Sequence, residues 1–175
     1  MHFISTRNSN LRKTLSEAIR CGLAEDGGLF VPEYFPKIDI NELTPDLNFA
    51  QTAEKILKPF FINDVLDTHF EQICSKAFNF PISLKPINHH TFMLELFHGP
   101  TLSFKDFGAR FLAETLNTLS DKMKTTIMVA TSGDTGSAVA SAFMQNLTLM
   151  SLFSTPKVKF QKDRHIKLLA GIKTS

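Results

Sequence analysis

A lysine in an apolar setting is the first residue of this sequence whose type and position could do chemistry. Lys105 lies between Phe104 and Phe107 in the stretch LELFHGPTLSFKDFGAR, residues 94–110, at the predicted start of a helix. Burial of an ammonium group and the positive end of a helix dipole both disfavour the charged form of an amine. We therefore expect Lys105 to present a neutral amine, a nucleophile that forms imines with carbonyl compounds.

The direction of Lys105 depends on which face of this helix packs against the core. Side chains three, four and seven positions apart share one face, so the face of Lys105 is predicted to be packed and the opposite face wet. The packed positions are Gly108, Ala109, Leu112, Leu116 and Leu119, and the wet ones are Asp106, Arg110, Glu114 and Asn117. The Ser103 hydroxyl is predicted to accept a backbone N–H at the helix start. The alternative is a lysine that reaches solvent along its own methylene groups.

A second stretch with chemical potential is TTIMVATSGDTGSAVASAF, residues 125–143, which predicts a buried strand, a loop with two glycines and a helix. The loop residues Ser132, Gly133, Asp134 and Thr135 follow the carboxyl end of the strand, where α/β proteins bind ligands. Asp134 would repel a phosphate, so the expected ligand group is a carboxylate held by N–H and hydroxyl groups. The loop lacks the lysine of a Walker A motif and the spacing of a dinucleotide motif. A plain strand-to-helix turn is the alternative.

Composition excludes several classes of protein. The 175 residues are 43% hydrophobic and 21% charged with a net charge of +2, which is typical of a globular protein without a nucleic-acid face. No apolar run is long enough for a membrane span, and the amino terminus does not resemble a signal peptide. Cys21 and Cys74 are predicted to be reduced thiols of a cytoplasmic protein. The histidines form no metal-binding motif, and no G-x-S-x-G elbow of a hydrolase is present.

The predicted elements fall into two groups. Helices over Leu11–Cys21, capped by Ser9 or Asn10, Asn48–Lys58 and Asn63–Ala77 form a small helical layer, with a short extended piece at Leu29–Val31. Beyond Pro81, predicted strands alternate with predicted helices, and TFMLELF is apolar enough to lie inside a sheet. These segments are Ile82–Ile87, Thr91–Phe97, Phe104–Leu119, Thr125–Ala130 and Ser137–Asn146. The alternation predicts a parallel α/β unit with right-handed crossovers.

Three separated motifs, in order, resemble the threonine synthase family of pyridoxal-phosphate enzymes of fold type II. LELFHGPTLSFKDFGARFLAETL and ATSGDTGSAVA are similar to its cofactor segments, and STRN, GLAEDGGLFVP and PKI to its opening domain. The resemblance runs from His2 to Asn146. It implies an α/β protein with a small helical amino-terminal domain (1–81), an incomplete fold type II parallel α/β domain (82–150) and a divergent or truncated tail (151–175).

The resemblance also implies roles for individual residues. Lys105 would hold pyridoxal 5'-phosphate covalently and move protons, and Asp134 would contact the cofactor. Ser132, Gly133 and Thr135 would bind the amino-acid end of the substrate. The implied reaction converts O-phospho-L-homoserine and water to L-threonine and phosphate, with Thr101 and Ser103 as neighbours of the site.

Family members are longer, and their glycine-rich loop for the cofactor phosphate has no counterpart here. We therefore expect poor stability and little activity from this chain alone, because a cofactor without its cradle is not held in reacting geometry. A related pyridoxal-phosphate dehydratase or β-replacement enzyme is an alternative, against which GDTG argues. Another is a non-catalytic remnant or binding module that pairs an open sheet edge with a partner. A complementing chain or a homo-oligomer is the expected form of such a partner.

Overall fold

The computed structural model describes residues 1–120, 125–131, 133–144 and 149–154. The chain divides into an amino-terminal unit, Met1–Lys76, and a carboxy-terminal unit, Ala77–Ser175. The elements of the first unit are β1 (Phe3–Ser5), β2 (Arg12–Lys13), α1 (Leu15–Cys21), β3 (Phe30–Pro32), α2 (Phe49–Phe61) and α3 (Phe70–Ala77), whose last residue crosses the division. Those of the second are β4 (Ser83–Asn88), β5 (Thr91–Glu95), α4 (Lys105–Leu119), β6 (Thr125–Ala130), α5 (Asp134–Phe143) and β7 (Leu149–Ser154).

The amino-terminal unit opens with a three-stranded antiparallel sheet in the order β2-β1-β3. The prediction of a helix over Leu11–Cys21 is wrong at its start, because Arg12–Lys13 forms β2 and α1 begins at Leu15. The cap is Thr14, not Ser9 or Asn10, since Thr14 and Glu17 exchange the two hydrogen bonds of a capping box. These two reciprocal bonds fix the start of the helix after Thr14, although Leu11 continues the helical spacing of apolar residues.

Helix α2 begins at Phe49, one residue after the predicted Asn48, which is its cap, and it continues through Pro59 to Phe61 instead of ending at Lys58. Proline removes one helical hydrogen bond, and burial of Phe61 offsets that loss. Phe61 is 3% exposed and stacks on Phe70 with the ring centroids 3.9 Å apart. The core of this unit is formed by the most deeply buried apolar side chains of α2, α3 and the turn between them. They are Phe61, Leu66, Phe70, Ile73 and Cys74.

Helix α3 begins at Phe70, later than the predicted Asn63. Asn63 has φ of 64°, in the left-handed region where an α-helix cannot continue. A short 3₁₀ turn over Asp67–His69 leads into α3 instead. Periodic apolar residues in this segment therefore reflect a buried turn followed by a helix, which the spacing alone does not separate.

The carboxy-terminal unit contains two separate strand pairs. β4 and β5 form an antiparallel hairpin, whereas β6 and β7 pair in parallel. The parallel pair follows the predicted crossover pattern, but the prediction that Thr91–Phe97 lies inside a sheet is wrong for the described residues. Phe92, Met93 and Leu94 are each more than half exposed. The short turn at His89 and His90 joins neighbouring strands directly, and such a turn allows only antiparallel pairing.

Helices α4 and α5 pack on β6. The centre of their contact is formed by Ala113, Ala142 and Phe143, with Ala109, Leu116, Ile127 and Val139 packed around it. β6 matches its predicted bounds of Thr125–Ala130. Helix α5 begins at Asp134, three residues before the predicted Ser137. The predicted helix end at Asn146, and the predicted tail from residue 155 onward, lie outside the described residues.

Candidate functional site

The turn that begins at Gly99 leads directly into α4, whose first residue is Lys105. The carbonyl oxygen of Gly99 accepts the N–H of Leu102 at 3.0 Å, and Leu102 has φ of 56°. The Ser103 hydroxyl accepts the N–H of Lys105 at 3.2 Å, as the sequence predicts. The Ser103 carbonyl oxygen accepts the N–H of Asp106 at 3.1 Å. These bonds satisfy backbone N–H groups at the start of α4, where the N-cap side chain, Phe104, makes no capping bond.

Asp106 joins this turn to the helix. Its side chain is 0% exposed, and Thr101 donates to both of its oxygens. The Thr101 N–H donates to Oδ2 at 2.8 Å, and the Thr101 hydroxyl donates to Oδ1 at 2.7 Å. Gly99 packs so closely that an added Cβ would lie 2.7 Å from Asp106 Cβ and 2.9 Å from its Cγ. We call Gly99, Thr101 and Asp106 the Asp106 network.

The prediction of which face of α4 is wet is wrong. Asp106 is 0% and Arg110 7% exposed, whereas Leu112 on the predicted dry face is 44% exposed. Arg110 is satisfied in its buried position, because Nε donates to the Ala77 carbonyl at 2.8 Å and Nη2 to Asn79 Oδ1 at 2.7 Å. Charged groups that find such partners can be buried, and sequence spacing does not reveal the partners.

Lys105 is partly buried at the edge of this packed face. Its Nζ lies 4.6 Å from the ring centroid of Phe104, which is 58% exposed. In the described part of the chain no carboxylate pairs with Lys105 Nζ. A ring face attracts an ammonium weakly and does not block its reaction with a carbonyl group. Among the described residues, the Lys105 amine therefore contacts an aromatic ring and forms no ion pair with a carboxylate.

The loop between β6 and α5 carries the other predicted site residues. Gly133 is the N-cap of α5, and Asp134 and Thr135 lie in its first turn. Asp134 is exposed and Thr135 partly buried, while Ser132 lies outside the described residues. The Gly133 N–H donates to the Thr131 hydroxyl at 3.1 Å, a contact of a residue that the sequence reasoning missed. A hydroxyl two residues before a helix cap is the signal that could have identified it.

Chain topology relates the two helix heads. α4 precedes β6 in the sequence, α5 follows it, and side chains of both helices pack around Ile127 of β6. In an α-β-α arrangement each helix runs opposite to the strand that it covers. The amino-terminal ends of α4 and α5 are therefore both directed toward the carboxyl end of β6.

Glu95 and His98 form a further polar pair just before the Gly99 turn. His98 Nε2 lies 2.8 Å from Glu95 Oε2. The hydrogen bond with His98 is the main cause that holds the pKa of the Glu95 carboxyl below its usual range. The sequence reasoning missed Glu95, whose position at the end of a strand gives no chemical signal.

The described residues contain no group of histidine, cysteine, aspartate and glutamate side chains arranged to hold a metal ion. No helix in that same part of the chain is long and apolar enough to cross a bilayer.

Comparison with known proteins identifies close relatives of both the sequence and the fold. Residues 2–78 match the family model described as the threonine synthase N terminus. The threonine synthase of Haemophilus influenzae is 37% identical over 174 residues, which cover 98% of this chain and 41% of that protein. The threonine synthase of Escherichia coli K12 is 34% identical over 98% of this chain and 41% of its own length.

Solved structures give the same result. The crystal structure of threonine synthase from Escherichia coli aligns with a TM-score of 0.79 at 34% identity, over 90% of this chain and 37% of that one. The structure of PLP-bound threonine synthase from Brucella melitensis aligns with a TM-score of 0.81 at 33% identity, over 89% of this chain and 36% of that one. These alignments confirm the predicted incomplete α/β fold. This chain spans 41% of the length of those two curated relatives and matches the amino-terminal portion of threonine synthases.

Proposed function

We propose that Lys105 binds the aldehyde of pyridoxal 5'-phosphate covalently and that this chain contributes the lysine-bearing part of a threonine-synthase-type site. The observation that carries this proposal is the partly buried Lys105 amine, held over Phe104 without a carboxylate partner in the described ranges. The names of the relatives support it, because they are threonine synthases and one solved structure is described as PLP-bound.

The residues present fit the aldehyde end of this cofactor. A Cβ added at Gly108 or Gly133 would meet nothing within 4 Å, so both helix heads leave open space for a flat ring. Lys105 supplies the one group that must react with an aldehyde. When bound, pyridoxal phosphate supplies an electron sink that stabilises negative charge at the α-carbon of an amino acid.

The chain's own residues then have three tasks. The Lys105 amine takes and returns protons while phosphate leaves Cγ of O-phospho-L-homoserine and water adds at Cβ, which yields L-threonine and phosphate. Gly133, Thr135 and Ser132 bind the substrate carboxylate at the head of α5, where the helix dipole favours an anion. Asp134 contacts the cofactor. We place this reaction of small metabolites in the cytoplasm, where the free thiols Cys21 and Cys74 stay reduced.

The test is covalent trapping in the 175-residue chain. The protein is titrated with pyridoxal 5'-phosphate, reduced with borohydride and digested, and the modified lysine is located by mass spectrometry. We expect an adduct at Lys105 and a visible absorbance band, both lost in Lys105→Ala. Lys85→Ala, which removes an exposed lysine from β4 in the same unit, should leave both unchanged. Adducts spread over exposed lysines in proportion to their exposure would contradict the proposal.

A non-catalytic binding module is the second candidate, and the apolar faces of β4 and β5 favour it. Leu84 is 58%, Ile87 59% and Phe92 55% exposed, which is unusual for side chains of this size on one hairpin. A complementing chain or a second copy of this chain would cover them. A folded protein that forms no Lys105 adduct at millimolar cofactor, but elutes as a larger complex in size-exclusion chromatography, would favour this candidate.

A further inference from the structure

We infer that Asp106 is a positioning residue that sets the direction of Lys105 through Thr101 and Gly99. This inference rests on the proposed role of Lys105 as the cofactor-binding amine.

The burial of Asp106 is the first reason. An acid in the first turn of a helix interacts favourably with the helix dipole even when it is fully solvated, so that role does not require burial. Asp106 is nevertheless 0% exposed, and one residue, Thr101, donates to both of its oxygens. Two donors on one residue fix the rotation of the carboxylate and hold the Thr101 backbone against the helix.

The second reason is the geometry of the helix start. The first N–H groups of a helix have no partner within it, so its first turn is held weakly unless a cap secures it. The N-cap side chain here, Phe104, makes no capping bond, and the Ser103 hydroxyl holds the Lys105 backbone N–H at 3.2 Å, a bond that does not involve the Lys105 side chain. Successive helical residues differ in direction by about 100°. Since the Asp106 carboxylate is fixed toward the interior, Lys105 is directed to the margin of the packed face, where it meets the Phe104 ring.

The rest of α4 does not depend on Asp106. Arg110 binds Ala77 and Asn79, and the ring of Phe107 packs edge-on against Phe80 with the centroids 5.0 Å apart. Helix α4 also packs on α5 through Ala113. Loss of the Asp106 carboxylate should therefore loosen the helix head while the helix stays folded, and this separates positioning from folding.

The experiment compares Asp106→Asn and Thr101→Val with three controls in the 175-residue chain. Thr101→Ser keeps the hydroxyl, Asp26→Asn makes the same acid-to-amide change elsewhere, and Thr118→Val removes a hydroxyl that bonds only within α4. The first readout is the rate at which isotopically labelled acetic anhydride acylates Lys105, relative to Lys85, without cofactor. The second is the borohydride-trapped adduct with pyridoxal 5'-phosphate. Far-UV circular dichroism verifies that each variant is folded.

We expect Asp106→Asn and Thr101→Val to change the relative acylation rate of Lys105 about threefold or more and to lower the trapped adduct about tenfold, because a misdirected amine loses reacting geometry. The three controls should remain near the wild-type values. An unchanged acylation rate in a folded Asp106→Asn protein overturns the inference. If Asp106→Asn does not fold, equal rates in Thr101→Val and Thr101→Ser overturn it.

The two proposals fail in different ways. If the wild-type chain traps no adduct at Lys105 but Asp106→Asn alters its acylation, the proposed function is wrong and the positioning role stands. If the wild-type chain traps the adduct and Asp106→Asn matches it in both readouts, the proposed function stands and the positioning role is wrong.

Discussion

The two units each contain an aspartate that binds a nearby hydroxyl and packs against a glycine. In the amino-terminal unit the Ser5 hydroxyl donates to both oxygens of Asp26 at 2.8 and 2.9 Å, and the Gly28 N–H donates to Oδ1 at 2.8 Å. We call these three residues the Asp26 network. The Asp106 network is similar, with a threonine in place of the serine, but its backbone donor is the Thr101 N–H, and Gly99 packs against the carboxylate.

The two networks differ in what surrounds the carboxylate. Asp26 is partly exposed in a loop between strands, so its bonds close a turn and connect it to β1. Asp106 is fully buried in the first turn of a helix, and it directly follows Lys105 in the sequence. Similar polar contacts thus hold a turn against a sheet in one unit and, by our inference, direct an amine in the other. Burial makes the second network the more costly to disturb, since a buried carboxylate without its donors cannot turn to water.

The largest expected effect comes from adding one methyl group at Gly99. A Cβ there would lie 2.7 Å from Asp106 Cβ, an atom fixed to the helix backbone, so α4 or the turn must move. We expect Gly99→Ala to lower the free energy of unfolding by about 3 kcal/mol, at the upper end for overpacking. At Gly28 the same methyl group would collide with Ser5 Oγ and would meet Asp26 Oδ1 and Thr6 Oγ1 at 3.0 and 3.1 Å. These atoms are side-chain ends that can rotate away, at the expense of the bonds from Ser5 to Asp26, so Gly28→Ala should cost about 2 kcal/mol.

Urea denaturation followed by circular dichroism measures both changes. Gly108→Ala is the matched control in α4, because its added Cβ meets nothing within 4 Å. That control should raise stability by roughly 0.5–1 kcal/mol through helix propensity. Equal costs at Gly99 and Gly28 would show that the two networks are equally compliant and would remove the contrast between them.

Local sequence signals predict part of this comparison and miss the rest. β6 and the bond from Lys105 N–H to Ser103 could be predicted, because an apolar run and a hydroxyl before a helix act over a few residues. The burial of Asp106 could not, since it depends on donors that only the folded turn brings together. The roles of Lys105 and the loop from Gly133 to Thr135 come from family resemblance and stay predictions.

The same limit applies to Arg110 and the β4–β5 hairpin. Helical spacing assigned Arg110 to a wet face, whereas a carbonyl 33 residues earlier in the chain stabilises it in a buried position. An apolar strand in the sequence indicated a sheet interior, yet Phe92 is 55% exposed in this chain. The partner of Arg110 is distant in sequence, and whether other residues cover Phe92 depends on the folded arrangement, so a local apolar pattern predicts neither.

A second contrast between the units lies in their left-handed residues, Asn63 and Leu102, at φ of 64° and 56°. Asparagine tolerates this conformation, but for leucine it costs about 1 kcal/mol. Leu102 is 72% exposed, so its side chain buries little in compensation. We expect Leu102→Gly to raise the free energy of unfolding by about 0.5–1 kcal/mol and Asn63→Gly to change it by less.

The measurement is again a urea midpoint, with Leu112→Gly as the control. Leu112 is a partly exposed leucine inside α4, and glycine there should destabilise the helix by about 1 kcal/mol. Opposite signs at Leu102 and Leu112 would show that the strain at Leu102 is real. A loss of stability in Leu102→Gly would mean that the leucine side chain holds the turn before Lys105 by contacts stronger than its exposure indicates.

The smallest expected effect is a pH dependence confined to the Asp26 network. The Gly28 N–H is the main cause that holds the pKa of the Asp26 carboxyl below its usual range, with the Ser5 hydroxyl contributing in the same direction. A folded-state pKa below the unfolded one adds stability above about pH 4, and that stability is lost as the pH falls through the folded value. The amide of the Asp26→Asn variant cannot titrate. The gap in urea midpoint between wild type and variant should therefore be constant from neutral pH down to about pH 5 and then shrink toward about pH 3.

Other carboxyls with lowered pKa, such as Glu17 in its capping box, titrate in both proteins and cancel in this difference. A gap that persists unchanged at the acid end of the titration would mean that the amide of Asp26→Asn fails to fit the turn for steric reasons. The carboxylate charge would then not be what distinguishes this partly exposed network from the buried one.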